Sequence, residues 1–139
     1  MTYGQYRTYP EGKLGCCKQL PSKIIAENAF RDHAWVTSHF RTFYAWLFQA
    51  IDIRDFQHRG KFITASTDLA MMFPMLEMAG PHCKFISEVT YTYNKANPLL
   101  IEANKKASLH AYDMRKVILR KKRYEPIAVV QDKRGAAKA

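Results

Sequence analysis

Asp68-Leu-Ala-Met-Met-Phe-Pro-Met-Leu-Glu-Met-Ala-Gly80 is the most apolar stretch of the chain, and it opens on a carboxylate. From Leu69 to Met78 only Pro74 and Glu77 interrupt Leu, Ala, Met and Phe. A helix here is therefore expected to be buried nearly all round. Ser66 or Thr67 is placed to cap its start, and Gly80 to close it in the left-handed conformation. Pro74 removes one intrahelical bond and predicts a kink or a restart. Asp68 falls in the first turn, where the helix dipole favours a negative charge. Two roles are open to it: a partner of the helix start, or a catalytic carboxylate at the mouth of a buried helix.

On the C-terminal side, Lys84 to Tyr93 alternates β-branched and aromatic residues and reads as a strand. Asn94 to Pro98 is a turn. From about Leu99 a long basic helix is expected, with Leu100, Ala103, Ala107, Ala111, Met114 and Ile118 on one stripe. Arg120-Lys-Lys-Arg123 would close it with cations at the negative end of the dipole. Residues 1–127 are read as one domain and 128–139 as a disordered tail.

On the N-terminal side, Phe40, Phe43, Tyr44, Leu47, Phe48 and Ile51 recur at helical spacing, predicting a helix capped by Thr37 or Ser38 with an aromatic stripe toward the core. His39 and Arg41 lie near its mouth and are candidates to face a cleft. Thr2 to Tyr9 alternates like a short strand, and Pro10-Glu11-Gly12 turns the chain. Ser22 to Phe30 is a short helix or turn.

Apolar content of 47% with 13% aromatics excludes disorder by composition, and the expected strands and helices together make the fold class α/β. No apolar run approaches the roughly 18 to 20 residues of a membrane span. The first residues lack the apolar core of a signal peptide, so a cytoplasmic location is expected. Three cysteines, two of them adjacent, suit neither a disulfide framework nor a zinc site and read as free thiols. The net charge of +10 is unevenly placed: residues 101–139 carry eleven Lys or Arg against four acids. That asymmetry suits an anionic partner, whether nucleic acid, a membrane surface or a phosphorylated ligand, and equally a solvated helix face. There is no Gly-rich phosphate loop, no Gly-x-Ser-x-Gly and no Cys or His pair at zinc spacing. Tyr91, Tyr93 and the basic helix make a weak case for nucleic acid, since no recognition signature accompanies them.

Three blocks in this order resemble the C-terminal half of family 2 glycosyltransferases. They are Trp35-Val-Thr-Ser-His-Phe-Arg-Thr-Phe-Tyr-Ala-Trp-Leu-Phe48, the Asp68–Gly80 stretch, and Glu88-Val-Thr-Tyr-Thr-Tyr-Asn94 followed by Asn97-Pro98. Thr2-Tyr-Gly-Gln-Tyr6 and Tyr9-Pro-Glu-Gly12 are similar to one subgroup of that family, so the likeness covers about residues 2–127. It implies part of a GT-A fold, a mixed sheet with packed helices, in an inverting transfer of a sugar from a nucleotide-sugar donor. Asp68 matches the family's general base, which takes the proton of the acceptor hydroxyl. His39 and Arg41 match its Ser-His-x-Arg-Thr-Phe segment and would line the acceptor or diphosphate side. The family's usual Glu-Asp pair is Thr67-Asp68 here, and its Leu-Asn-Asp after the Asn-Pro is Leu99-Leu100-Ile101.

The resemblance also implies a divalent metal, Mn or Mg, held by an Asp-x-Asp motif that this sequence lacks. The nucleotide-binding units of the family are missing with it. The expected protein is thus the acceptor-side half of a transferase, inactive without its donor-binding half. Its partners would be a sugar or glycan acceptor and either that half or a second copy, paired along an open sheet edge. The alternative from another class is a non-catalytic basic module that meets nucleic acid or an anionic membrane surface through the C-terminal helix.

Overall fold

A computed structural model of the chain describes residues 1–127, without the side chains of residues 100–108. The tail expected over 128–139 lies outside the described residues. The architecture is mixed α/β, with four α-helices around a small mixed sheet among the described residues.

The alternating segment at the N-terminus forms β1, Thr2–Tyr9. It runs parallel to β5, Lys84–Asn94, and antiparallel to the two-residue β2, Arg41–Thr42, in the order β2-β1-β5. Tyr3, Gly4, Gln5 and Thr8 of β1 are buried, the simple alternation being broken where its register with β5 shifts around Gln5. Tyr3 is buried, its hydroxyl donating to the Lys18 carbonyl (3.1 Å) and accepting the Leu20 amide (3.0 Å). Gln5 donates to the Cys17 carbonyl at 3.0 Å. The upper half of β1 is covered by the chain doubling back, with Thr8 N–H on the Lys13 carbonyl and Gly15 N–H on that of Tyr6, both 2.8 Å. β5 has no such cover. Among the described residues only β1 pairs with it, and none of its eleven residues is fully buried.

The apolar stretch forms α3, Thr67–Ala79, and it is the core. Every residue from Leu69 to Ala79 is buried except Met71, with Met72 and Met75 fully so. Large apolar side chains in such positions each stabilise by about 1.5–3 kcal/mol. The helix runs through Pro74 without restarting. Burial on all sides holds the chain in helical geometry although Pro74 cannot donate to the Ala70 carbonyl. Gly80 ends it with φ 49° and ψ −122°, outside the left-handed helical basin that was expected and in a region open essentially to glycine.

The helix predicted from Thr37 onward is not formed over its first half. Thr37 and Ser38 are buried, and Arg41–Thr42 is spent on pairing with Tyr3 and Thr2, so sheet pairing overrides the helical period. What remains is α2, Ala45–Gln49, preceded by α1, Ser22–Ala26. Leu47 and Ile51 face the core as predicted, but Phe40, Phe43, Tyr44, Trp46 and Phe48 are exposed. A 3-10 turn, Ile53–Phe56, leads into a two-stranded hairpin of β3, Gln57–His58, and β4, Lys61–Phe62. Its turn residues Arg59 and Gly60 both have positive φ, the geometry of a tight hairpin turn.

The last helix, α4, spans Pro98–Leu119, with the Asn97 side chain accepting the Leu99 amide at its start. Ile118 is buried and Met114 and Leu119 pack on the core, whereas Leu99 and Leu109 are exposed. Arg120 caps the C-terminus of α4, and Lys121, Lys122 and Arg123 follow directly after it. Lys121 donates to the Arg54 and Gln57 carbonyls (both 2.9 Å), and Arg123 pairs with Asp32 at 2.6 Å.

Candidate functional site

Arg41 and Asp68 come from separate blocks, and the fold brings them together. β2 holds Arg41 at the sheet margin, and the first turn of α3 presents Asp68. Arg41 Nη2 donates to Asp68 Oδ2 at 3.2 Å. The arginine is fixed from behind: Nε donates to the carbonyls of Ser38 (3.0 Å) and Thr37 (3.3 Å), and the guanidinium lies 5.7 Å over the Trp35 ring. Its side chain is only 11% exposed, against 45% for Asp68. The pair thus consists of an anchored cation and a carboxylate open to the surroundings. Its Coulombic contribution to folding is about 0–1 kcal/mol, as for other partly exposed pairs.

The start of α3 is not capped as expected. Ser66 occupies the cap position in the left-handed conformation, φ 55°, which a non-glycine residue adopts at a cost of about 1 kcal/mol or more. Its hydroxyl donates instead to the Ala111 carbonyl at 3.1 Å, and Thr64 Oγ1 lies 3.1 Å from His110 Nε2. The segment before Asp68 is therefore tied to α4 by two hydrogen bonds.

His39 belongs to an aromatic cluster on the β1–β5 face. Its ring stacks on Tyr93 (5.4 Å, 16°) and tilts over Tyr91 (5.1 Å), with Tyr6 edge-on at 5.7 Å. Tyr91 and Tyr93 are i and i+2 on β5, and Tyr6 pairs with Tyr91 in register. Burial pushes the His39 pKa below its usual value, the Arg41 charge adds to this, and Asp68 opposes it. The imidazole is neutral at neutral pH and able to accept a proton. Beside Arg41, the Thr37 hydroxyl is buried without a hydrogen-bond partner, although the Thr37 carbonyl is engaged.

A second polar cluster was missed in the sequence. Glu77, fully buried on α3, accepts from Arg31 Nε and, at 2.8 Å, from Nη2. Arg31 also donates to the carbonyls of Ile118 (2.7 Å) and Lys121 (3.2 Å), and Glu77 accepts the Tyr124 amide at 3.0 Å. This pair closes the end of α4 onto α3. The available signal was the residue itself: a carboxylate inside an all-apolar helix requires a buried cation.

No group of three or more His, Cys, Asp or Glu that could hold a metal occurs among the described residues. No described helix is long and apolar enough to cross a membrane. No family model, curated protein or solved structure matches the chain.

Proposed function

We propose that this chain is the acceptor-side half of an inverting, nucleotide-sugar-dependent glycosyltransferase with a GT-A-like fold. The observation that carries the reading is the 3.2 Å approach of Arg41 to Asp68 across 27 residues of sequence, the two having been singled out from separate blocks. In this reading Asp68 takes the proton of an acceptor hydroxyl as its oxygen bonds to the anomeric carbon. The bond from that carbon to the diphosphate breaks in the same step, and the nucleoside diphosphate leaves. A positioned base of this kind contributes roughly a hundredfold to ten-thousandfold in rate. Arg41 orients the carboxylate and, with five N–H donors, has the geometry to meet a phosphate oxygen as well. His39 lines the acceptor side within its tyrosine cluster.

The divalent metal of such transferases would neutralise charge on the leaving diphosphate, and its ligands belong to the donor-binding half. The edge of β5, unpaired among the described residues, supports pairing with that half or with a second copy. The test is nucleoside diphosphate release by this chain, by a donor-binding half of a family 2 glycosyltransferase, and by the two co-expressed. Release is expected only from the pair. Release by this chain alone, above a no-protein control, contradicts the half-domain reading, and silence of an assembled pair contradicts the transferase reading.

A further inference from the structure

Aromatic residues of the stripe expected in the core lie instead at the surface. α2 is held down by Leu47 and Ile51, while Trp46 and Phe48 on either flank of Leu47, and Phe43 and Tyr44 just before the helix, are exposed. Tyr44 and Trp46 stack at 6.3 Å, and Phe43, Phe48 and Phe56 form a chain of rings at 6.3 and 5.8 Å. Ile53 and Phe62, from the adjoining turn and hairpin, are 59% and 61% exposed. A concentration of exposed large apolar side chains in one segment points to an interaction site.

Cations are interleaved with these rings. Arg59 sits in the hairpin turn and Lys61 follows it next to Phe62, both exposed; Arg54, also exposed, is paired with the Asp52 carboxylate. Tyr and Trp, apolar bodies with a polar tip, suit the headgroup level of a bilayer. A second copy of this chain would bring another net charge of +10, so charge favours an anionic partner over self-association. We propose that the face formed by α2 and the β3–β4 hairpin docks peripherally on an anionic lipid surface, with Trp46 and Phe62 entering the headgroup region and Arg59 and Lys61 meeting lipid phosphates.

The test is vesicle co-sedimentation of the full chain, with phosphatidylglycerol-containing or pure phosphatidylcholine vesicles. Binding is expected to the anionic vesicles only and to weaken with salt. With Trp35→Phe leaving Trp46 as the one tryptophan, brominated lipid should quench its fluorescence. Trp46→Ala with Phe62→Ala should lower vesicle affinity about tenfold or more, since exposed apolar area is removed from both. Arg59→Glu with Lys61→Glu should do at least as much, each nearby cation being worth about fivefold. Lys13→Glu with Lys18→Glu, an equal double charge reversal at exposed positions of the segment that folds back along β1, should stay within about twofold. No vesicle binding, or an equal loss with Lys13→Glu plus Lys18→Glu, overturns the proposal. So does light scattering that shows a wild-type dimer broken by Trp46→Ala with Phe62→Ala, which would make the face a protein interface.

Discussion

At the scale of single residues, two buried polar groups govern how the molecule responds to change. Glu77 and Arg31 are 0% and 2% exposed, so removing one charge strands the other. Glu77→Gln keeps the shape and is expected to cost about 3–5 kcal/mol, lowering the melting temperature by roughly 10 °C or more. A calorimetric shift under a few degrees would show that the arginine finds other acceptors. His39 gives a pH signature. Its folded-state pKa lies below the ordinary 6.5, so as pH falls the unfolded chain takes up that proton first. Stability is therefore lost on descending through about pH 6.5, until the folded His39 itself titrates. His39→Phe keeps a ring in the cluster and should shrink the drop in urea midpoint between about pH 7.5 and about pH 5.5. An unchanged drop would place the proton uptake elsewhere.

Asp68, Arg41 and His39 were legible in the sequence as candidates because their types suit the chemistry the resemblance implies. Their partners were not. The Trp35 ring, the Ser38 carbonyl and Tyr6, Tyr91 and Tyr93 gather around them only through the β2-β1-β5 arrangement, which one chain's periodicity does not encode.

At the scale of elements, burial on all sides made α3 readable, and alternation did the same for β1 and β5. The stretch after Thr37 misled because a helical period in aromatic residues does not reveal that Arg41–Thr42 pairs with β1. The cap at Ser66 misled for a related reason: its hydroxyl serves α4 rather than its own helix. Toward its C-terminal end α4 packs on the core through the buried Ile118. Ile118→Ala is expected to cost about 2–5 kcal/mol, whereas Leu109→Ala, at an 80% exposed position, should stay within about 0.5 kcal/mol. Equal urea midpoints for the two variants would refute that division.

At the scale of the whole molecule, the core is centred on α3, and among the described residues β5 is an unpaired edge of the sheet. Its three thiols report on that core. Cys16 is exposed, while Cys17 and Cys83 are buried and their thiols are pushed up to about 11 by that burial. A thiol reagent at neutral pH should label Cys16 quickly and the other two only on unfolding. Fast labelling of all three would mean that the core opens readily.

The central claim is that Asp68 is a base and not merely a partner of the helix start. Asn is as good a residue as Asp at a helix start apart from the dipole term, so Asp68→Asn should cost about 1 kcal/mol or less in stability. As a base, the same change removes the proton acceptor. The deciding measurement is sugar transfer by Asp68→Asn assembled with a donor-binding half, with the melting temperature followed in parallel. The account predicts a fall of roughly a hundredfold to ten-thousandfold in rate with melting unchanged within a few degrees. Transfer at the wild-type rate would contradict it.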